Sequence, residues 1–132
     1  MKITADTNVL VRAMIGDDEQ QSALAQAELA AAELVAIALP SLCELVWVLS
    51  QGYKVASDEI ADAVRRLTNA ANVVVNRPAV EAGLALLDAG GDFADGVIAY
   101  EGRWLGGETF VSFDKKAVKR VTAQSKATRL LA

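Results

Sequence analysis

The spacing of apolar residues changes at Asp6. Ile3 and Ala5 alternate with polar neighbours, as in a short strand, whereas Val9, Leu10 and Ala13 fall at helical spacing. Asp6 therefore stands where a strand gives way to a helix. The pattern recurs near the other end: residues 109–113 read as a strand, Asp114 follows, and residues 115–121 read as a helix. An Asp at such a place suits an N-cap, because its carboxylate accepts free amide protons of the first turn. That the chain does this twice calls for more than a cap.

Between these ends the same alternation continues. Asp17, Asp18 and Glu19 put acids where a helix dipole favours them, and the helix they open runs to about Glu33. Residues 35–39 form a short apolar run, read as a buried strand, after which Pro40 and Ser41 open a helix with Leu42, Leu45, Val46 and Leu49 on one face. Gly52 is placed at its end. Ser57 reads as the N-cap of a helix to about Asn69, and residues 72–75 as a third buried strand. Pro78 opens a helix through Leu87 that Gly90 and Gly91 terminate, and Asp92 caps the next. A last strand is expected at residues 128–131. About five strands alternating with about seven helices predict a single α/β domain over residues 1–132, with a mainly parallel sheet covered by helices on both faces.

Composition narrows the chemistry. The 132 residues contain no histidine, which removes Ser–His and Cys–His nucleophile pairs, imidazole bases and His-containing zinc sites. The single Cys43 cannot form an internal disulfide and, lying in an apolar run, is expected to be buried and inert. With no leader-like start and no apolar run of membrane-spanning length, a cytoplasmic location away from membranes is expected. Trp47 suits either the core or an interface, with the core preferred. The net charge of −4 is uneven: residues 113–132 carry Lys115, Lys116, Lys119, Arg120, Lys126 and Arg129 against Asp114, a net +5, leaving −9 on the rest. A basic tail on an acidic body suits either an anionic partner or a solvated helix face.

Ligands of open parallel sheets bind beyond the carboxyl ends of the strands, where Asp6 and Asp114 are expected. Asp95 lies three residues after Asp92, so both can face one point. Glu44, flanked on its helix by Ser41, Trp47 and Val48, is read as facing inward or along an apolar wall, a costly place for an unpartnered carboxylate; a partly exposed rim position is equally compatible. Two carboxylates ~4 Å apart repel by about 4 kcal/mol at an effective dielectric of 20, so a cluster of acids calls for a cation. All-oxygen ligation selects magnesium or manganese, ions that activate water for displacement at phosphorus.

The motifs Asp6-Thr7-Asn8-Val9-Leu10-Val11-Arg12, Leu42-Cys43-Glu44-Leu45, Asp92-Phe93-Ala94-Asp95-Gly96-Val97-Ile98-Ala99 and Val111-Ser112-Phe113-Asp114 together resemble, in order and spacing, the PIN-domain nucleases, and within them the VapC-type toxins of toxin–antitoxin pairs. The resemblance covers the whole chain and implies a three-layer α/β/α sandwich. It implies that Asp6, Glu44, Asp95 and Asp114 bind Mg2+ or Mn2+, with Asp92 an auxiliary acid and Thr7, Asn8 and Ser112 steadying metal or water. It further implies an endoribonuclease that forms a homodimer, acts on RNA and is neutralised by a VapB-type antitoxin. One departure is Gly96, where the family more often carries alanine; glycine there costs at most ~1 kcal/mol of helix stability. The competing reading is a non-catalytic interaction module whose acids only cap helices; a receiver-like signalling domain fits less well, since Asp6 is followed by Thr7-Asn8 rather than a second acid.

Overall fold

The computed structural model describes residues 1–132, which gather into two compact units, 1–76 and 77–132. In the first, β1 (Lys2–Thr4), β2 (Leu34–Ala36) and β3 (Val73–Val74) form a parallel sheet in that order. β1 and β2 align Ile3 with Val35, and Ala5 N–H to Ala36 O (3.0 Å) carries the ladder one step towards Asp6. β2 and β3 align Val35 with Val73, and Ile37 N–H to Val74 O extends that pair likewise. Parallel neighbours need long crossovers. Helices α1 (Thr7–Met14) and α2 (Glu19–Ala31) supply the first, and α3 (Leu39–Trp47), a π-helical turn (Val48–Gly52) and α4 (Ser57–Thr68) the second.

Because β1 and β2 run the same way, the chain leaves both at one edge, and α1 and α3 start there. The core of this unit is Leu10, Val35, Leu42, Leu45, Leu49, Ile60 and Val64. The face expected on α3 is thus buried as a whole. Several neighbours depart from expectation. Leu39 opens α3 instead of ending β2, and Pro40 takes its second position, where no amide proton is needed. Ala56, not Ser57, precedes α4 as its cap residue, while Asp58 accepts the Glu59 amide. Val74 is half exposed, so β3 is not the buried strand expected. Asn72 lies before it, its side-chain amide donating to Leu29 O and Ala32 O at the end of α2. Trp47 is 66% exposed, on the side of α3 away from Leu42 and Leu45, and Cys43 is half-buried.

The second unit pairs α5 (Arg77–Asp88) with α6 (Phe93–Trp104), followed by β4 (Phe110–Ser112), α7 (Lys115–Ala123) and β5 (Thr128–Leu130), with β4 and β5 parallel. Helix α5 ends as the sequence predicts. Gly90, at φ +88°, donates to Leu87 O and Gly91 donates to Leu86 O (2.7 Å), a Schellman motif that needs a residue tolerant of positive φ. The five expected strands are therefore present and parallel, but they hydrogen-bond as a three-stranded and a two-stranded sheet, not one. Strands of two or three residues carry only a few ladder bonds each, so the alternation that reveals strands says nothing about where a ladder stops.

Gly96 has a structural reason. A Cβ there would stand 2.4 Å from Ala82 O and 2.8 Å from Gly83 Cα, and one on Gly83 would stand 2.7 Å from the Phe93 ring. The two helices touch backbone to backbone, with the fully buried Phe93 filling the space beside Gly83. Leu86, Ala99, Val121 and the partly buried Phe110 complete this core.

Candidate functional site

In the first unit, Asp6 holds φ −76° and ψ 158° at the N-cap of α1, and its Oδ1 accepts the Thr7 amide at 2.8 Å. The other carboxylate oxygen has no protein partner. Thr7 is 8% exposed, and its Oγ1 is buried without a hydrogen-bond partner. A buried hydroxyl left unbonded costs on the order of 1–3 kcal/mol. Asp6, Thr7, Asn8 and Glu44 line one cavity of about 330 Å³ together with Arg12 and Tyr53. Glu44 lies on α3, itself launched from the same sheet edge. It is exposed, which corrects the inward-facing reading: the helix buries Leu42, Leu45 and Val46 and leaves position 44 on the opposite side.

Arg12 and Tyr53 were not singled out by sequence reasoning. Arg12 Nη1 donates to Asp17 Oδ1 at 3.0 Å, and Tyr53 Oη donates to Asp17 Oδ2, also at 3.0 Å. The Tyr53 hydroxyl first, and the Arg12 guanidinium with it, hold the Asp17 carboxyl below its ordinary range; the same bond pushes the Tyr53 phenol up.

In the second unit three acids line a cavity of about 250 Å³: Asp92, Asp95 and Asp114, with Lys116 and Arg120. Asp92 caps α6 by accepting the Ala94 amide at 3.1 Å. Asp114 caps α7, its Oδ1 accepting from Lys116 N–H (2.9 Å) and Ala117 N–H (3.1 Å). Ser112 lies behind it: its Oγ accepts the Asp114 amide at 3.0 Å, fixing the loop that presents the carboxylate. Asp95 is half-buried and caps nothing. Burial, and then the charges of Asp92 and Asp114, push its carboxyl above the ordinary range. Arg120 donates to Ala89 O, joining α7 to the turn after α5. Of the basic tail, Lys116 and Arg120 thus line the same cavity as the acids, whereas Lys126 lines a different cavity with Arg103 and Glu108.

The structure therefore brings Asp6, Thr7, Asn8 and Glu44 together in one unit, and Asp92, Asp95 and Asp114 together in the other. Within neither unit do three His, Cys, Asp or Glu side chains close to metal-ligand distance. The donor set nevertheless suits a hard divalent cation: every group is an oxygen, one hydroxyl is buried and unsatisfied, and one carboxyl is crowded by two others.

The sequence profile of the PIN domain matches residues 3–123, a span running through both units. The chain belongs to the PIN-domain family. No curated protein matches it closely enough to name a nearer relative. PIN domains are in general nucleases that need a divalent metal, bind RNA and often work beside antitoxin partners. No helix of this PIN domain is long and apolar enough to cross a membrane.

Proposed function

We propose that this PIN domain is a Mg2+- or Mn2+-dependent endoribonuclease acting as the toxin of a toxin–antitoxin pair in the cytoplasm, restrained by a VapB-type antitoxin and working as a homodimer. Family membership supports the nuclease class, and one observation carries the mechanism: Asp95, a carboxylate with no capping duty, is half-buried in a cavity it shares with Asp92 and Asp114, and burial and those two charges raise its proton affinity. Such crowding is unfavourable until a cation relieves it.

Asp6 and Glu44 in the first unit, and Asp95 and Asp114 in the second, are the acids we assign to metal binding. A bound Mg2+ or Mn2+ would supply an activated water and offset charge developing on the phosphate oxygens. The protein's own part is positional. Asp6 and Asp114 each accept hydrogen bonds through Oδ1 from backbone N–H groups of the helices they cap, which fixes the carboxylate and leaves Oδ2 for a ligand. Ser112 pins the Asp114 loop, and the Thr7 hydroxyl can donate to an incoming water or oxygen ligand. Asp92, Asn8 and the cations Lys116 and Arg120 shape the surroundings, the last two opposing the repulsion between acids and an RNA phosphate.

The alternative, a binding module whose acids only cap helices, is favoured by the caps at Asp6, Asp92 and Asp114. Asparagine caps as well as aspartate, so the two readings separate cleanly. Purified protein is incubated with total RNA, with magnesium, manganese or chelator. The nuclease reading expects discrete metal-dependent products from the wild type, lost in Asp6→Asn and Asp95→Asn. Wild-type activity in both variants would overturn it. Growth arrest on expression, absent for Asp95→Asn, would support the toxin role; unimpaired growth with active enzyme would remove it.

A further inference from the structure

The first unit's cavity poses a problem for the proposed function, on which this inference rests. Asp6 and Glu44 line it, residues 1–112 carry a net −9, and nucleic acid is held chiefly through its phosphates. An RNA strand entering there needs a local cation, and Arg12 is the one cation in the lining. Its guanidinium has five donors and spends one on Asp17. The Asp17 bond thus holds Arg12 in place while leaving most of its donors available.

Tyr53 meets a second need. The helix that carries Glu44 does not continue regularly: residues Val48–Gly52 form a π-helical turn, and Tyr53 N–H bonds Val48 O at 3.1 Å. Such turns cost regular hydrogen bonding and occur often at functional sites. Tyr53, directly after this wider turn, lines the cavity that Glu44 lines, and its hydroxyl meets Asp17, 36 residues away along the chain. Tyr53 is over a third exposed although its hydroxyl is fixed. An exposed aromatic held at its polar end, beside a guanidinium held by the same carboxylate, is a pre-organised surface for a flat ring and its attached phosphate.

We infer that Arg12 and Tyr53, gathered by Asp17 beside Asp6 and Glu44, form a subsite for one nucleotide of single-stranded RNA, its base stacked on Tyr53 and its phosphate on Arg12. Asp17 is a positioning residue, since it acts through the other two. Any base can stack, so the subsite orients the strand and adds affinity without reading sequence.

The test is binding of a fluorescein-labelled oligouridylate of about ten nucleotides by the full chain in chelator, where cleavage cannot intervene. An abasic ribose-phosphate strand of equal length is the control, and both are titrated over a range of salt. Tyr53→Ala is expected to weaken oligouridylate binding about tenfold and to leave the abasic strand unchanged. Tyr53→Leu, which keeps bulk, does the same if the alanine variant melts early. Tyr53→Phe keeps the ring but loses its bond to the Asp17 carboxylate, and is expected to lose about two- to threefold in affinity as the ring is no longer held in one orientation. Arg12→Gln weakens both strands and lowers the slope of log affinity against log salt by about 0.7. If the trio were only a structural clasp, these variants would lower the melting temperature and leave affinity, slope and the base-dependent difference untouched. That result, or a wild type that does not bind oligouridylate, overturns the subsite. Cleavage of total RNA is scored separately. A wild type that cleaves while the variants bind and cleave equally removes the subsite alone. A wild type that binds through Arg12 and Tyr53 but never cleaves removes the nuclease reading alone.

Discussion

The two units hold their acids in different states. In the first, Asp6 and Glu44 are both exposed, share a cavity with a guanidinium, and lie beside a buried hydroxyl without a partner. In the second, three carboxylates share a cavity and the half-buried Asp95 is destabilised as an anion by burial and by its neighbours. The first arrangement leaves the Thr7 hydroxyl without a partner; the second raises the proton affinity of Asp95 even with Lys116 and Arg120 in the same lining. The comparison teaches that an acid in the first turn of a helix stores unfavourable electrostatics where it is half-buried, caps nothing and has a second and third acid beside it.

The largest effect that would break this contrast is on cleavage. Asp95→Asn is expected to lose more than the roughly hundredfold that removing an outer-shell partner of a metal typically costs, measured as the initial rate on RNA at saturating magnesium; a loss of tenfold or less would take Asp95 out of the metal-binding set. Next comes packing. Gly96→Ala is expected to destabilise by about 1–3 kcal/mol in urea unfolding, the range of overpacking, despite the helix propensity of alanine. Gly16→Ala in the first unit, where a Cβ meets nothing within 4 Å, should stay within about ±0.5 kcal/mol. Equal effects at the two glycines would mean that α5 and α6 do not touch as described.

Capping should differ by less. Asp114 accepts two amides and Asp6 one, so Asp114→Ala should cost about 1–2 kcal/mol and Asp6→Ala about 0.5–1, with the Asn variants near wild type. The reverse order would contradict the bond count. The smallest effect is the pH dependence of Asp95. A raised carboxyl binds its proton more tightly folded than unfolded, so stability falls as pH climbs from the ordinary carboxylate range through the raised value, and the loss persists at neutrality. Without metal, Asp95→Asn should therefore melt above wild type at pH 7, and the gap should close as pH drops below the ordinary range. A gap that is constant with pH would show that charge is not its cause.

Much of this was legible in the sequence because it depends on neighbours along the chain. The change of apolar period places Asp6 and Asp114 at strand-to-helix passages; Gly90-Gly91 and Asp92 mark a helix end and the next start. What escaped depends on residues far apart. The Arg12–Asp17–Tyr53 contacts link positions up to 36 residues apart through a π-helical turn that no local pattern announces. Gly96 reads along the chain as a weak point of α6, because Ala82 and Gly83, which pack against it, belong to another helix. The apolar neighbours of Glu44 and Trp47 leave an interior and a surface position equally open for the first and favour the core for the second, whereas Leu42, Leu45 and Val46 alone satisfy the buried face of α3. The five strands could be counted, yet their division into two ladders is a matter of hydrogen bonding between segments, which periodicity does not carry.

The most direct test of the claim that these crowded acids await a cation is thermal unfolding of wild type and Asp95→Asn at pH 7 across a titration of magnesium or manganese. A ligand that binds only the folded state raises the melting temperature with its concentration. The account predicts that metal-free Asp95→Asn melts higher than wild type, that the wild type climbs steeply as metal is added, and that the variant climbs much less, so the curves cross. Parallel curves, with the same rise in both proteins, would contradict it.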